Sequence, residues 1–426
     1  MTAASQGPVA RHLLPLTSSI SDSGSLSIGG VELTDIAEAY GTPVFVYDED
    51  HLRHRCREAV SAFGGGVAYA SKAFLCRAMA ALAAEEGMAI DVSTGGELHV
   101  ALSAGVAADR LVLHGNNKSE VELVAAVKAG VGRIVVDSFD EVDRLGRMSG
   151  LRIDVLVRVT PGIEAHTHEY VRTGQDDSKF GFGLASGAAA EAVARLQSTP
   201  GVEVVGLHAH IGSQIFLLDP FVAEVQALVP LLETYGLREL CVGGGLGVAY
   251  VEGEHAPTLA QWANAVHTAV GASGLPAGVR VSVEPGRSIV ADAAVTLYRV
   301  GTIKQLPGIR TYVSVDGGMS DNPRPVLYGS GYEAFLPRCT AAARPLTATI
   351  VGKHCESGDV IVRDAQLPAD LAVGDLLATP VTGAYGHSMA SNYNKVPRPP
   401  VLFVSGGTAR VVVRRETHDD LTRLDC

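Results

Sequence analysis

The chain has 426 residues, 47% of them hydrophobic and 19% charged, the balance of a soluble globular protein with room for a large core and more than one domain. Its formal net charge is -12 and no segment gathers Lys and Arg into a stripe, so nucleic acid and anionic membrane are poor partners. The apolar stretch Leu13–Leu16 is broken by Pro15 and is too short for a signal-peptide core. No run of about 18 apolar residues occurs, so neither secretion nor a membrane span is expected.

Near the start, Ser25–Leu33 reads as strand around a Gly29-Gly30 turn, without a helical partner. From residue 44 the sequence falls into an alternating rhythm. After a lead-in at Val44–Tyr47, short apolar runs at Val67–Ser71, Ala89–Ser93, Arg110–Leu113 and Arg133–Asp137 predict four strands. Ile153–Val159, Val204–His210, Glu239–Val242 and Arg280–Glu284 predict four more. Between them lie helical patterns at Arg77–Glu86, Glu97–Ala104, Ser119–Ala129, Ala188–Leu196, Pro220–Tyr235 and Leu259–Ala272. Eight strands separated by helices predict a parallel sheet, and eight is the number that closes a (β/α)8 barrel.

The rhythm stops near residue 290. Val295–Val300, Tyr312–Val315, Thr347–Val351, Val360–Arg363, Leu376–Pro380, Val401–Val404 and Ala409–Arg414 then predict a second, mostly antiparallel β domain. The expected division is a barrel over 48–291 and a β domain built from 1–47 and 292–426, with Ser25–Leu33 joining the latter. Six cysteines (Cys56, Cys76, Cys241, Cys339, Cys355, Cys426) show no CxxC or metal-finger spacing. They read as reduced thiols, with a cytoplasmic location and no structural metal expected.

In such a barrel the chemistry sits where strands end. The first strand ends at Ser71-Lys72, the second at Asp91, the third at His114-Gly115-Asn116 and the sixth at His208-Ala209-His210. The seventh ends in Gly243-Gly244-Gly245-Leu246-Gly247 and the eighth in Glu284-Pro285-Gly286-Arg287. Glycine loops after strands seven and eight can offer bare backbone N–H groups to a phosphate, with Arg287 beside them, although a Gly-rich turn alone is weak evidence. Lys72 could be a solvated surface lysine. Desolvated at the barrel mouth, it would be a nucleophilic amine. A phosphate site, such a lysine, and a carboxylate (Glu284) for a pyridine nitrogen are what pyridoxal phosphate requires. His210 could stack on the cofactor ring or simply be satisfied by backbone hydrogen bonds.

The motifs Tyr69-Ala70-Ser71-Lys72-Ala73, Ser93-Thr94-Gly95-Gly96-Glu97-Leu98, His114-Gly115-Asn116-Asn117-Lys118 and His210-Ile211-Gly212-Ser213-Gln214 occur in order. They are followed by Asp316-Gly317-Gly318-Met319-Ser320-Asp321-Asn322-Pro323-Arg324, Cys355-Glu356-Ser357-Gly358-Asp359 and Gly383-Ala384-Tyr385. Over nearly its whole length the chain thus resembles the fold-type-III pyridoxal-phosphate-dependent decarboxylases, within them the actinobacterial form of the branch acting on meso-diaminopimelate. Departures are small: Ser71 and Phe74 flank the lysine where many relatives carry other residues, and the segment Gly386-His387-Ser388-Met389 varies in type.

The resemblance implies that Lys72 holds pyridoxal 5'-phosphate covalently, that His210 stacks on its ring and that Glu284 pairs with the ring nitrogen. It implies cofactor contacts from Asp91, Ser213, Gly245, Gly247, Gly286, Arg287 and Tyr385. Arg287, Arg324, Tyr328 and Tyr385 would bind substrate, Glu356 would take a substrate amino group, and Cys355 would donate the proton that replaces carbon dioxide. In the family Cys355 and Glu356 reach the other subunit's site, so a homodimer is implied. The implied reaction turns meso-2,6-diaminopimelate into L-lysine. Each residue keeps a bland alternative: Cys355 could be an inert thiol, and Arg287 and Arg324 could be structural ion-pair partners. Two rivals on the same barrel are a decarboxylase of ornithine or arginine, which would not need a clamp for a distal carboxylate, and a racemase, which would need a second acid/base across the ring. A single-barrel cofactor carrier would need neither the β domain nor Cys355-Glu356.

Overall fold

The computed structural model describes residues 8–148, 152–163, 177–275 and 278–426. Two units emerge: one of Arg55–Gly247 and Ala256–Ser288, the other of Met1–His54, Val248–His255 and Ile289–Cys426.

In the first unit the short apolar runs become strands at Ala68–Ala70, Ala89–Val92, Leu111–Leu113, Arg133–Val136, Ile153–Thr160, Val202–His208, Glu239–Cys241 and Arg280–Ser282. Neighbours pair in parallel in that order. The eighth strand returns to the first through a parallel bridge between Val67 and Val283, closing the (β/α)8 barrel that the strand count predicts. A register shift between Val204 and Gly206 re-aims the end of the sixth strand.

The helices between strands start where the sequence supplies caps. Thr94 accepts the Glu97 N–H at the start of Gly95–Ser103. Ser119 with Glu122 and Thr258 with Gln261 form capping boxes for Glu120–Ala129 and Leu259–Ala272. A helix at Phe139–Gly146, absent from the pattern reading, fills the gap between strands four and five.

The second unit holds one large mixed sheet. Val44–Asp48 and Ala294–Leu306 pair antiparallel at its centre. Arg310–Val315 and Leu346–Val351 are parallel, as are Val44–Asp48 and Val401–Ser405; the other pairings are antiparallel. The expectation for Ser25–Leu33 needs correcting in part. The segment belongs to this unit but forms its own three-stranded sheet of Ser19–Ile20, Leu26–Ile28 and Val31–Glu32, and Leu33 opens the helix Leu33–Tyr40. The buried Leu26 and Ile28 join one core with Val44, Val46, Val295 and Leu402. The segment is held by burying these side chains rather than by pairing into the large sheet. Among the described residues, no helix is long and apolar enough to cross a membrane.

Candidate active site

The barrel interior is layered. Val135, Leu156, Val205 and Cys241 make an apolar cluster with Val112 packed against it. Side chains alternate along a strand, so two residues further on the same face carries His114, Asp137 and Arg158. The layer nearer the C-terminal rim is therefore ionisable, and its members are buried. Arg158 pairs with Asp137 at 3.3 Å and lies over the Phe180 ring, 4.3 Å from its centroid.

Glu284, at the end of strand eight, is the focus of this layer. Its Oε2 is 2.9 Å from His208 Nε2 and its Oε1 is 2.9 Å from His114 Nε2, the latter contact poorly aligned for a hydrogen bond. Burial pushes the carboxyl up, but the two histidines outweigh it and hold Glu284 well below the usual carboxylate range. His114 also lies 3.7 Å from Asp91 Oδ1. Burial raises Asp91 to about 6, with His114 opposing. His114 is raised: burial lowers it, but Asp91 and Glu284 together prevail. Neither histidine was singled out as a site residue from sequence. Both lie at strand ends, the signal that could have found them.

His210 is half-buried, two residues beyond His208. Its Nδ1 accepts the Gly244 N–H at 3.1 Å, which places its own proton on Nε2. Burial, then the charge of Lys72, pushes it well below its ordinary range, so the ring is neutral. The backbone hydrogen bond of the bland reading is thus present.

The glycine loop after strand seven lies tight against its neighbours. Gly245 adopts φ +112°, and a Cβ there would stand 2.3 Å from Gly212 O. Gly247 departs from the expectation of a bare donor. Its N–H goes to Ile215 O at 2.9 Å, so it shapes the loop instead of offering a hydrogen. Among the described residues, the N–H groups of Gly245 and Leu246 make no hydrogen bond. Gly286 lets the next loop approach the first strand, where a Cβ would be 2.9 Å from Ala70 Cβ. The buried Arg287 donates to Ser213 Oγ at 2.9 Å.

Lys72 follows the first strand in a short 3-10 turn, Ser71–Ala73. The expectation of a desolvated lysine is not met: its side chain is exposed, because the turn carries it out over the rim. Its charge still acts on Asp91 and His210, so it faces the same rim.

In the other unit, Arg324 is buried, donates to Tyr332 Oη at 2.7 Å and lies 4.2 Å from the Tyr250 ring centroid. Tyr385 also acts on it electrostatically. The sequence grouping of Arg324 with Tyr328 missed Tyr250 and Tyr332, which are far apart in sequence and belong to no motif. Tyr385 holds φ +61°, a left-handed conformation that costs a non-glycine residue about 1–3 kcal/mol and clusters at functional sites. Cys355 and Glu356 are both exposed. Their segment is tied to Asp316–Arg324 by Asp359, which accepts the Met319 N–H at 2.7 Å and the His354 N–H at 2.9 Å. His354 Nε2 is in turn 2.8 Å from Ser320 Oγ.

Residues 49–291 match the family model described as "Pyridoxal-dependent decarboxylase, pyridoxal binding domain". A protein from Mycobacterium tuberculosis named diaminopimelate decarboxylase is 48% identical over 440 residues, covering 98% of each chain. One of the same name from Bacillus subtilis is 45% identical over 426 residues, covering 96% of this chain and 97% of that one. The structure of diaminopimelate decarboxylase from M. jannaschii in complex with L-lysine superposes with a TM-score of 0.89 at 32% identity, covering 96% of this chain and 98% of that one. With a family-model match over more than half its length and full-length relatives well above 30% identity, the chain belongs to the diaminopimelate decarboxylase family of pyridoxal-dependent decarboxylases.

Proposed function

We propose that this chain removes carbon dioxide from the D-configured centre of meso-2,6-diaminopimelate, releasing L-lysine, with pyridoxal 5'-phosphate at the C-terminal rim of its barrel. Full-length similarity carries the reading. Relatives of that name cover 98% of the chain, and similar structures from M. jannaschii and Helicobacter pylori contain L-lysine, the product this reaction would release.

The donor set at the rim fits the cofactor. Gly245 and Leu246 leave N–H groups for an anion beside Arg287 and Ser213, Glu284 is held as an anion, and Lys72 offers an exposed amine nearby. When bound, the cofactor supplies an electron sink for the charge that departing carbon dioxide leaves behind. The chain's own residues do the rest. Lys72 would hold the cofactor and yield it to the substrate amine. Glu284 would face the ring nitrogen and His210, neutral, would stack on the ring. Arg287 and Ser213, with Gly245 and Gly286, would hold the phosphate, and Asp91 would complete the contacts.

The distal end of the substrate would be read by Arg287, Arg324, Tyr328 and Tyr385. Unpaired buried cations would reject an analogue that lacks the distal carboxylate. Glu356 of the partner subunit would take the distal amine, and Cys355 of the partner subunit would deliver the proton. The working unit is then a cytoplasmic homodimer. Exposure of Cys355 and Glu356 in the single chain supports this reading, since both are available to a second copy.

The test is incubation of the purified protein with meso-diaminopimelate and pyridoxal 5'-phosphate, followed by chiral product analysis. L-lysine and carbon dioxide are expected in equal amounts. Isomerised diaminopimelate, or comparable turnover of L-ornithine, would overturn the reading.

A further inference from the structure

Glu284 is held by two residues to which the reaction above assigns no role. His208 Nε2 takes one carboxylate oxygen and His114 Nε2 stands at the other, each at 2.9 Å, from strands six and three. The two rings meet edge to face, 5.0 Å between centroids at 68°, so neither turns without displacing the other. We propose that His114 and His208 are positioning residues that clamp Glu284, one carboxylate oxygen each, and so fix its plane and its charge for the cofactor's ring nitrogen. The inference rests on the reading that Glu284 faces that nitrogen.

A carboxylate offers about four lone-pair sites, so two histidine contacts leave acceptor capacity for a ring N–H. The histidines are not equivalent. His208 Nδ1 is buried and has no hydrogen-bond partner. A proton there would be a buried, unpaired donor on a charged ring, so His208 donates from Nε2 as the neutral form. Burial lowers it in agreement. His114 stands between the carboxylates of Asp91 and Glu284, which favour its cation. One histidine thus orients the carboxylate and the other charges against it. His114 is kept in place by its own loop, since the Lys118 ammonium binds the carbonyls of Gly115 and Val135. The three ligating atoms lie within 4.8 Å of one another, as a metal would require. A metal-bound histidine, however, holds an outer partner through its second nitrogen, and His208 Nδ1 holds none.

The groups facing Glu284 and its histidines from the surrounding elements are Lys72, Asp91, Arg158, His210, Glu224 and Cys241. These stay constant in the following test. His208→Phe, His208→Gln, His114→Phe, His114→Gln and Glu284→Ala are compared by cofactor affinity of the apoenzyme, visible absorption of the holoenzyme across pH 6–8, the pH profile of kcat/KM, and Tm. His208→Phe should weaken cofactor binding about 10–100-fold, with His208→Gln, whose amide nitrogen can replace Nε2, recovering most of it. His114→Gln should move the acid limb of kcat/KM to higher pH, because Glu284 loses the cation that keeps it ionised. Both Phe variants should give an absorption band that moves with pH where the wild-type band is constant. If affinity, absorption and pH profile match wild type in all four histidine variants while Glu284→Ala is crippled, the clamp is overturned and the function stands. If Glu284→Ala itself keeps wild-type absorption and affinity, the assignment of Glu284 fails beneath it. Should the Phe variants not fold, the acid limb of kcat/KM in His114→Gln carries the test, and an unmoved limb there overturns the clamp.

Discussion

The ammonium of Lys118 sits 2.9 Å from Glu141 Oε1 with both side chains buried, and it donates further hydrogen bonds to the carbonyls of Gly115 and Val135. That pairing takes one rim lysine out of contention as a nucleophile. Breaking a buried ion pair costs about 3–5 kcal/mol. Lys72 has no such commitment to a buried partner and is exposed over the same rim. Borohydride reduction of the holoenzyme followed by peptide mapping should place the pyridoxyl group on Lys72. An adduct on Lys118, Lys179 or Lys304 would sink the assignment.

Arg324 should govern the distal carboxylate. Arg324→Gln is expected to raise KM for meso-diaminopimelate by about two orders of magnitude, in line with the 2–5 kcal/mol of a truncated buried charge contact. Tyr332→Phe, which removes the 2.7 Å partner but not the charge, should cost about tenfold or less. Steady-state kinetics alongside Tm separates recognition from folding. An unchanged KM in Arg324→Gln would make its contacts with Tyr250 and Tyr332 purely structural.

The shared-site reading predicts complementation. Lys72→Ala and Cys355→Ala should each be nearly inactive alone. Unfolded and refolded together in equal amounts, about half the dimers should be hybrids with one intact site of two, restoring about a quarter of wild-type activity. Recovery no greater than the two parents would place Cys355 in its own subunit's site.

Stability should depend on pH through Asp321. Burial pushes its carboxyl up to about 7, although the Tyr298 hydroxyl (2.6 Å) and the Gly318 N–H (2.8 Å) favour the anion. A raised folded-state value means the native state keeps a proton that the unfolded chain has released. The contribution is therefore complete below about pH 4 and is lost as pH rises toward 7, at up to ~1.4 kcal/mol per pH unit. Asp321→Asn should flatten that slope. Urea midpoints at pH 5 and pH 7 check it; equal slopes in the two proteins would mean Asp321 is ionised throughout.

Much of the barrel was legible because its strands are short apolar runs separated by helical patterns; Leu259–Ala272 falls at its expected ends, as does Leu376–Pro380 in the other unit. The helix Phe139–Gly146 was not: Phe139, Val142 and Leu145 do make an apolar stripe, but the helix is only eight residues long and three of them, Asp140, Glu141 and Asp143, are acidic. Within the site, residue types at strand ends pointed to Lys72, His210 and Glu284. Hydrogen-bond direction could not be read that way. Gly247 looked like a donor to an anion until its N–H was found on Ile215 O. Partners of Arg324 were equally hidden, since Tyr250 and Tyr332 meet it through chain folding and not through motif spacing.

Asp359 joins the segment bearing Cys355 and Glu356 to the one bearing Arg324, because one carboxylate holds the backbone of both Met319 and His354. If the loop of Arg324 reads the substrate as proposed, a change that moves it is passed through Asp359 to the loop of Cys355 and Glu356. If Arg324 reads the substrate and Cys355 delivers the proton, as proposed, selection on either property acts through the same Asp359 contacts. That linkage predicts that laboratory evolution toward shorter diacids will first recover activity through substitutions around Asp359 rather than at Arg324 itself.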